Sequence, residues 1–241
     1  FRTYTASVES RKTQIPSLEH LVTGMKLFRE STDPKSLGNK FRQRRMAFFL
    51  EMVNHIPKPI EILDLGGNQL FWVNAGFQNN PNFQITILNI DPQPVRFSNL
   101  KSQTGDATEM SHIADNSYDL VFSNSVIEHL ANWENQMKMA QEAQRVGNWH
   151  FIQTPNKYFF LEPHYLLPFF QFVPKEFKYQ ILTKTPLSRL HRWKPELAQQ
   201  YVNEIRLLSM EEMKLLFPES KIWSEKFLGM SKSFVAHNFD T

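Results

Sequence analysis

Between residues 61 and 154, short apolar runs alternate with stretches whose apolar positions recur every three or four residues. That is the signature of strands alternating with helices. The runs expected as strands are Glu61–Leu65, Gln84–Ile90, Leu100–Thr104, Tyr118–Ser123 and Trp149–Gln153. Residues 69–78, with Leu70, Phe71, Trp72 and Val73, read as a short helix. A longer helix runs from an Asn132 cap to Val146, with Gly147 as its terminator. Strand–helix alternation implies right-handed crossovers and a parallel sheet covered on both faces.

The flanks follow other patterns. Ser17 opens a helix with Leu18, Leu21, Val22, Met25 and Phe28 on one side, stopped at Asp33-Pro34. Ser36 opens a second, apolar at Phe41, Phe48, Phe49 and Met52 and basic at Lys40, Arg42, Arg44 and Arg45. Residues 155–205 break the alternation with eleven aromatics in 51 positions, too apolar for a disordered linker. Ser209 and Glu212 then form a capping-box pattern for a helix ending at Phe217-Pro218. Lys221–Leu228 and Ser233–His237 close the chain as an expected antiparallel pair. The expected organisation is one domain: a helical preface (1–60), a cofactor-binding half (61–154), a substrate-cap insertion (155–205) and a terminal helix with strands (206–241).

Composition narrows the chemistry. There is no cysteine, which removes thiol nucleophiles, thiolate metal sites and disulfides, and fits a cytoplasmic protein. No apolar run approaches the roughly 18 residues that span a bilayer, and Tyr165–Val173 is broken by Pro168. The chain begins at Phe1, which leaves room for a trimmed leader. Residues 1–60 hold eleven Lys/Arg against five Asp/Glu, whereas residues 61–154 hold four against ten. An acidic middle argues against a nucleic-acid platform on the sheet, while the basic start could meet a phosphate, a carboxylate or an anionic surface.

In an open parallel sheet the ligand lies beyond the carboxyl ends of the strands. The candidates are therefore Asp64 with Gly66 and Gly67, then Asp91, Asp106 with Ala107, and Asn124 with Ser125. Glycines after a strand permit positive φ and close approach of the backbone to a ligand. The turn Gly66-Gly67-Asn68-Gln69 lacks the later glycines of a pyrophosphate-binding fingerprint, and no Walker lysine follows. An adenosine-like cofactor without phosphates, carrying positive charge, fits this acidic set better. Asp91 would accept from two ribose hydroxyls, Asp106 from an adenine amine, and Asp64 would hold a cationic amino group.

The segments Ile-Leu-Asp-Leu-Gly-Gly, Leu-Asn-Ile-Asp, Gly-Asp-Ala-Thr and Tyr-Asp-Leu-Val-Phe-Ser-Asn-Ser-Val-Ile-Glu-His-Leu, in this order and spacing, resemble class I S-adenosylmethionine-dependent methyltransferases of the type 11 group. The resemblance covers residues 36–155 best. It implies an α/β fold: a Rossmann-like, mostly parallel seven-stranded sheet with helices on both faces and its last strand antiparallel, here with N-terminal helices and an aromatic helical insertion after strand five. It implies S-adenosyl-L-methionine as cofactor, with Asp64, Gly66 and Gly67 at its methionine part, Asp91 at the ribose and Asp106 with Ala107 at the adenine. Asn124 would line the methionine end. Asn68 stands where the family turn has a further glycine, and a preface arginine such as Arg45 could pair with the cofactor carboxylate.

Methyl transfer from a sulfonium needs positioning and, for an oxygen acceptor, a base. His129, just past strand four, and His164, in the insertion with Glu162 beside it, are the candidate bases. The other histidines show no metal-ligand spacing, and no metal is expected. The expected acceptor is small or amphipathic, lipid-like or glycan-like, with oxygen as the expected nucleophile. The aromatic insertion could line its pocket or make peripheral membrane contact. A nicotinamide-dependent oxidoreductase on the same sheet and a non-catalytic S-adenosylmethionine-binding module are the competing readings.

Overall fold

The computed structural model describes residues 37–239. The helix expected after Ser17 lies outside the described residues. Seven strands form one sheet: β1 Ile60–Leu65, β2 Phe83–Asn89, β3 Leu100–Thr104, β4 Tyr118–Asn124, β5 Gly147–Pro155, β6 Lys221–Phe227 and β7 Met230–His237. Their order is β3-β2-β1-β4-β5-β7-β6, parallel from β3 to β5, with β7 antiparallel to both β5 and β6. The helices are α1 Leu37–Met52, α2 Gln69–Asn74, α3 Trp133–Val146, α4 Lys175–Lys184, α5 Pro195–Glu204 and α6 Met210–Leu216. Among the described residues no helix is long and apolar enough to cross a membrane.

Strand alternation builds a core on each face. Ile60, Ile62, Leu120, Phe122, Phe151 and Val235 face α1 and α2, where they meet Met46, Phe49, Met52 and Trp72. Leu63, Leu65, Val121, Ile152, Phe234 and Ala236 face α3 and α6, where they meet Met139, Ala143, Met213 and Leu216. Neighbouring positions on one strand therefore serve opposite layers, which is why the central strands read as unbroken apolar runs. The edge strand β3 buries little beyond Leu100.

Local chemistry sets the helix ends. Asn68 accepts from the Phe71 N–H at 3.1 Å, and Asn132 from the Asn135 N–H at 2.8 Å. Ser209 and Glu212 make the full reciprocal capping box of α6. Gly147 departs from expectation. Its φ of −117° is extended, and it begins β5 rather than closing α3 in a left-handed turn. A Cβ there would stand 2.7 Å from Val121 Cγ2, so close packing against β4 explains the glycine.

The basic face expected on α1 is divided. Arg44 is exposed, but Arg45 is buried and reaches across four strands. Its Nη1 donates to Asn124 Oδ1 on β4 and, at 3.2 Å, to Gln153 Oε1 on β5. Its Nη2 donates at 3.0 Å to Glu225 Oε2 on β6. That carboxylate oxygen also accepts from Lys232 Nζ at 3.0 Å and Ser233 Oγ at 2.8 Å, both on β7.

The insertion carries its own apolar core. Tyr165, Phe170, Leu182, Trp193, Ala198 and Val202 bury one another between α4, α5 and the segment that precedes them. Several of the aromatics therefore pack the cap itself. Tyr158, Phe169 and Phe172 remain exposed.

Burial pushes the Glu225 carboxyl up, but Arg45 and Lys232 outweigh it and hold the group below the usual carboxylate range. The stability it contributes is therefore present above the unfolded carboxylate pKa and lost as pH falls through the folded value. Glu225→Ala, which strands the buried Arg45 and the half-buried Lys232, should cost about 3–5 kcal/mol in urea unfolding at pH 7. The gap from the unsubstituted protein should narrow below about pH 4.

Candidate functional site

The turn after β1 is shaped by one buried acid. Asp64, the penultimate residue of β1, is 1% accessible, and its Oδ2 accepts from Trp72 Nε1 at 2.7 Å. Gly67 lies directly on that carboxylate, where a Cβ would fall 1.7 Å from Oδ2. Gly66 adopts φ +74°, and a Cβ there would fall 2.5 Å from Val126 Cγ1. Neither position admits a side chain, one because of the acid and the other because of the β4 loop. Asn89, at the end of β2, donates from Nδ2 to the Gly67 carbonyl at 3.1 Å and so pins the turn from the next strand. Burial pushes Asp64 up to about 7, against the opposing effect of the Trp72 hydrogen bond.

Asp64, Gly66, Gly67, Asn68, Asn124 and Arg45 line a single cavity of about 520 Å³ at the carboxyl edge of the sheet. Its size is within the roughly 300–1,000 Å³ of small-molecule sites. Lys232 lines it too, with Nζ 4.5 Å from the Phe41 ring centroid. Sequence reasoning misses this lysine, because it lies just ahead of the expected strand start at Ser233, whereas the strand begins at Met230. Asn89 and Trp72 were likewise missed as supports of the turn. A polar residue closing an apolar strand was the available signal for Asn89.

Asp91, Asp106 and Ala107 are not among the lining residues. Asp91 is exposed two residues beyond β2. Asp106 is exposed beyond β3, where Oδ1 accepts from the N–H and Oγ1 of Thr108, both at 2.8 Å. These acids stand at successive strand ends along the same edge, with Asp106 holding its own turn.

The two candidate bases, 35 residues apart, are brought together. His129 Nε2 and His164 Nε2 are 3.2 Å apart, and His164 Nδ1 lies 2.7 Å from Glu162 Oε1. The other oxygen of Glu162 accepts from the Tyr165 N–H at 2.8 Å, which fixes the carboxylate. Glu128 is fully buried beneath the pair. Its Oε2 accepts from Thr154 Oγ1 at 2.9 Å, and its Oε1 has no hydrogen-bond partner. Burial and the neighbouring His164 pull His129 down to about 4, although Glu162 opposes them. Burial also pulls on His164, but its hydrogen bond to Glu162 and the nearby carboxylates raise it above the ordinary histidine value. Burial pushes Glu128 up. The pair joins the cavity through a short path: Val126 lines the cavity, and the His129 N–H donates to its carbonyl at 2.8 Å.

These residues fit a positively charged adenosine cofactor without phosphates on two counts. A buried carboxyl with a pKa near 7 gains from a cation placed against it. The buried Arg45 Nε has no partner, and it belongs to a residue that lines the same cavity.

The methyltransferase domain family matches residues 39–212. No curated protein matches. Among solved structures, similarity is found to a protein assigned as a sarcosine dimethylglycine methyltransferase from Galdieria sulphuraria, at 24% identity over 50% of this chain and 46% of that one, TM-score 0.38. A SAM dependent methyltransferase from Aquifex aeolicus is 13% identical over 90% of this chain and 96% of that one, TM-score 0.47. The CurJ carbon methyltransferase is 12% identical over 91% of this chain and 58% of that one, TM-score 0.54, which supports the shared fold. The chain thus spans less than half the length of the Galdieria protein.

The raised Asp64 makes a stability prediction. The folded chain holds this proton to higher pH than the unfolded chain, so its contribution is complete below the unfolded pKa and lost as pH rises through about 7. Asp64→Asn keeps an acceptor for Trp72 and removes the penalty, which is on the order of 4 kcal/mol. Without cofactor, the variant should melt higher than the unsubstituted protein at pH 8, and the advantage should shrink toward pH 4.

Proposed function

The chain belongs to the family of methyltransferase domains, and on that premise we propose that it transfers a methyl group from S-adenosylmethionine to an oxygen of a small or amphipathic acceptor. The observation that carries this reading is the pairing of the Asp64 cavity with the His129–His164–Glu162 chain at one edge of the sheet. In this reading Asp64 faces the cationic end of the cofactor, and the Gly66-Gly67 turn lets the backbone approach it. Asn124, held by Arg45, lines the methionine end, and Arg45 Nε is offered to the carboxylate. Asp91 takes the ribose, with Asp106 and Ala107 at the adenine. The bound cofactor supplies an activated methyl group on a sulfonium, so the chain's residues mainly align the acceptor and exclude water.

The histidines manage the acceptor's proton. Glu162 holds the Nδ1–H of His164, which leaves His164 Nε2 as an acceptor toward His129 Nε2–H. His129 Nδ1 is then the free lone pair that receives the acceptor's hydroxyl proton. As it does so, the Nε2 proton passes to His164, whose charge Glu162 stabilises. Exposed aromatics at the insertion, Tyr158 stacked on Phe172 at 6.1 Å and the neighbouring Phe169, support an acceptor with an apolar part.

Asp91→Ala should weaken S-adenosylhomocysteine binding by roughly tenfold to a hundredfold in calorimetry, the loss of a charged partner to two hydroxyls. Unchanged affinity would remove Asp91 from the site. The acceptor is found by incubating protein and labelled methyl donor with native cell extract and identifying the labelled product by mass. With that acceptor, His129→Ala and His164→Ala should each lower kcat by about 10²–10⁴-fold while leaving S-adenosylhomocysteine affinity intact. A loss confined to affinity would count against the proton role.

A further inference from the structure

The cluster around the two histidines has a second chemical reading. Glu128, His129 and His164 each offer one ligand atom, and these atoms lie within 4.8 Å of one another. The two Nε2 atoms are 3.2 Å apart. Nitrogen ligands of a tetrahedral zinc, at about 2.0–2.1 Å from the metal, stand about 3.3–3.4 Å apart. The imidazoles are therefore already spaced as ligands of one ion. Their mutual distance can reflect one shared proton, and the same two lone pairs can share a metal instead.

The surroundings match this arrangement. Glu162 is 1% accessible and bonds to His164 Nδ1, so His164 Nε2 is turned inward as the free ligand atom. A carboxylate behind a ligating histidine is the usual outer-shell support of a metal site. Glu128 is fully buried, with one oxygen held by Thr154 and the other, Oε1, without a partner. A buried carboxylate oxygen left unpaired is costly unless a cation or donor meets it. Two buried carboxylates around two imidazoles supply the charge that a divalent ion would neutralise.

We propose that Glu128, His129 and His164 form a binding site for a divalent transition-metal ion of the zinc class, with Glu162 as the residue that positions His164. Two imidazoles and one carboxylate leave the ion at least one open position, as in catalytic rather than structural sites. An oxygen-bearing acceptor, such as a phenol or vicinal diol, can fill it. Coordination releases the acceptor's hydroxyl proton to solvent, and the bound oxyanion remains as the nucleophile. This role for the acceptor rests on the methyl-transfer reading, whereas the metal site itself does not. Sequence spacing concealed the set, because the insertion that delivers His164 separates it from Glu128-His129.

The test uses tag-free protein, freed of metal with a chelator, and cobalt(II) as the probe. One cobalt per chain should bind, with the visible absorption of a four- or five-coordinate nitrogen–oxygen site. His164→Ala and His129→Ala should abolish that band, and Glu162→Gln should weaken cobalt binding about 10–100-fold. Circular dichroism and S-adenosylhomocysteine calorimetry on each variant report whether it folds. Absence of the band in the unsubstituted protein, or an unchanged band in a folded His164→Ala variant, overturns the site. If S-adenosylhomocysteine binding persists while cobalt binding is absent, the metal site fails and the methyl-donor reading stands. If cobalt binds to the histidines and S-adenosylhomocysteine does not bind, the donor reading fails and the metal site stands.

Discussion

One carboxylate organises the working edge of this sheet. Asp64 is placed by β1 between two parallel neighbours, with Ile87 and Phe122 as its register partners. It is too deep for water to solvate, so it needs a donor and a close backbone. Trp72 supplies the donor from the first turns of α2, and Gly67 supplies the backbone. Those two demands fix the glycine pair, the direction in which α2 leaves the turn and the shape of the cavity floor. The same burial leaves the acid poorly suited to carry charge alone. A floor that is under-satisfied without a cation is a floor suited to bind one.

Arg45 performs the complementary task from the opposite side. It lies on α1, ahead of the sheet in sequence, and ties β4, β5 and β6 together through Asn124, Gln153 and Glu225. A single buried guanidinium suits this work, because its planar fork reaches several acceptors at fixed angles. The consequence is that the wall of the cavity depends on residues from both ends of the chain. Glu225 and Lys232 come from the terminal hairpin, and α1 from the preface. Removing the terminal hairpin would strip Arg45 of its carboxylate partner, and removing α1 would strip Glu225 of its guanidinium.

The legibility of these features follows their range. The five parallel strands, the caps at Asn68 and Asn132, the capping box at Ser209 and the terminal hairpin all rest on local periodicity or on residues three apart. They are readable within a residue or two, apart from the last strand, which begins at Met230 rather than at Ser233. Gly147 was misread because a glycine after a helix can answer either a left-handed turn or a crowded strand, and the crowding comes from Val121 on another strand. The cavity floor, Asp64 with Gly66 and Gly67, was legible because the three residues are contiguous. Arg45 was legible only as one of a group of basic residues. Its burial depends on Glu225, 180 positions away. Lys232 and the unpaired oxygen of Glu128 had no sequence signal, since each is defined by neighbours that only the fold brings close.

The insertion explains why the histidine pair occurs where it does. Its apolar core is internal, and besides the packing of Phe159 on Phe227 it is attached to the sheet along a polar seam. There the Arg206 N–H donates to the Glu128 carbonyl at 2.7 Å, the Ala131 N–H to the Glu204 carbonyl at 2.9 Å, and His164 meets His129. Gln136 strengthens the seam by donating to the carbonyls of Ile127 and Arg206. Backbone bonds of this kind set position without consuming the side chains. The side chains of His129 and His164 are left to meet each other, with their Nε2 atoms 3.2 Å apart. An insertion whose own core is complete can hold His164 against the strand-four loop, where it meets His129.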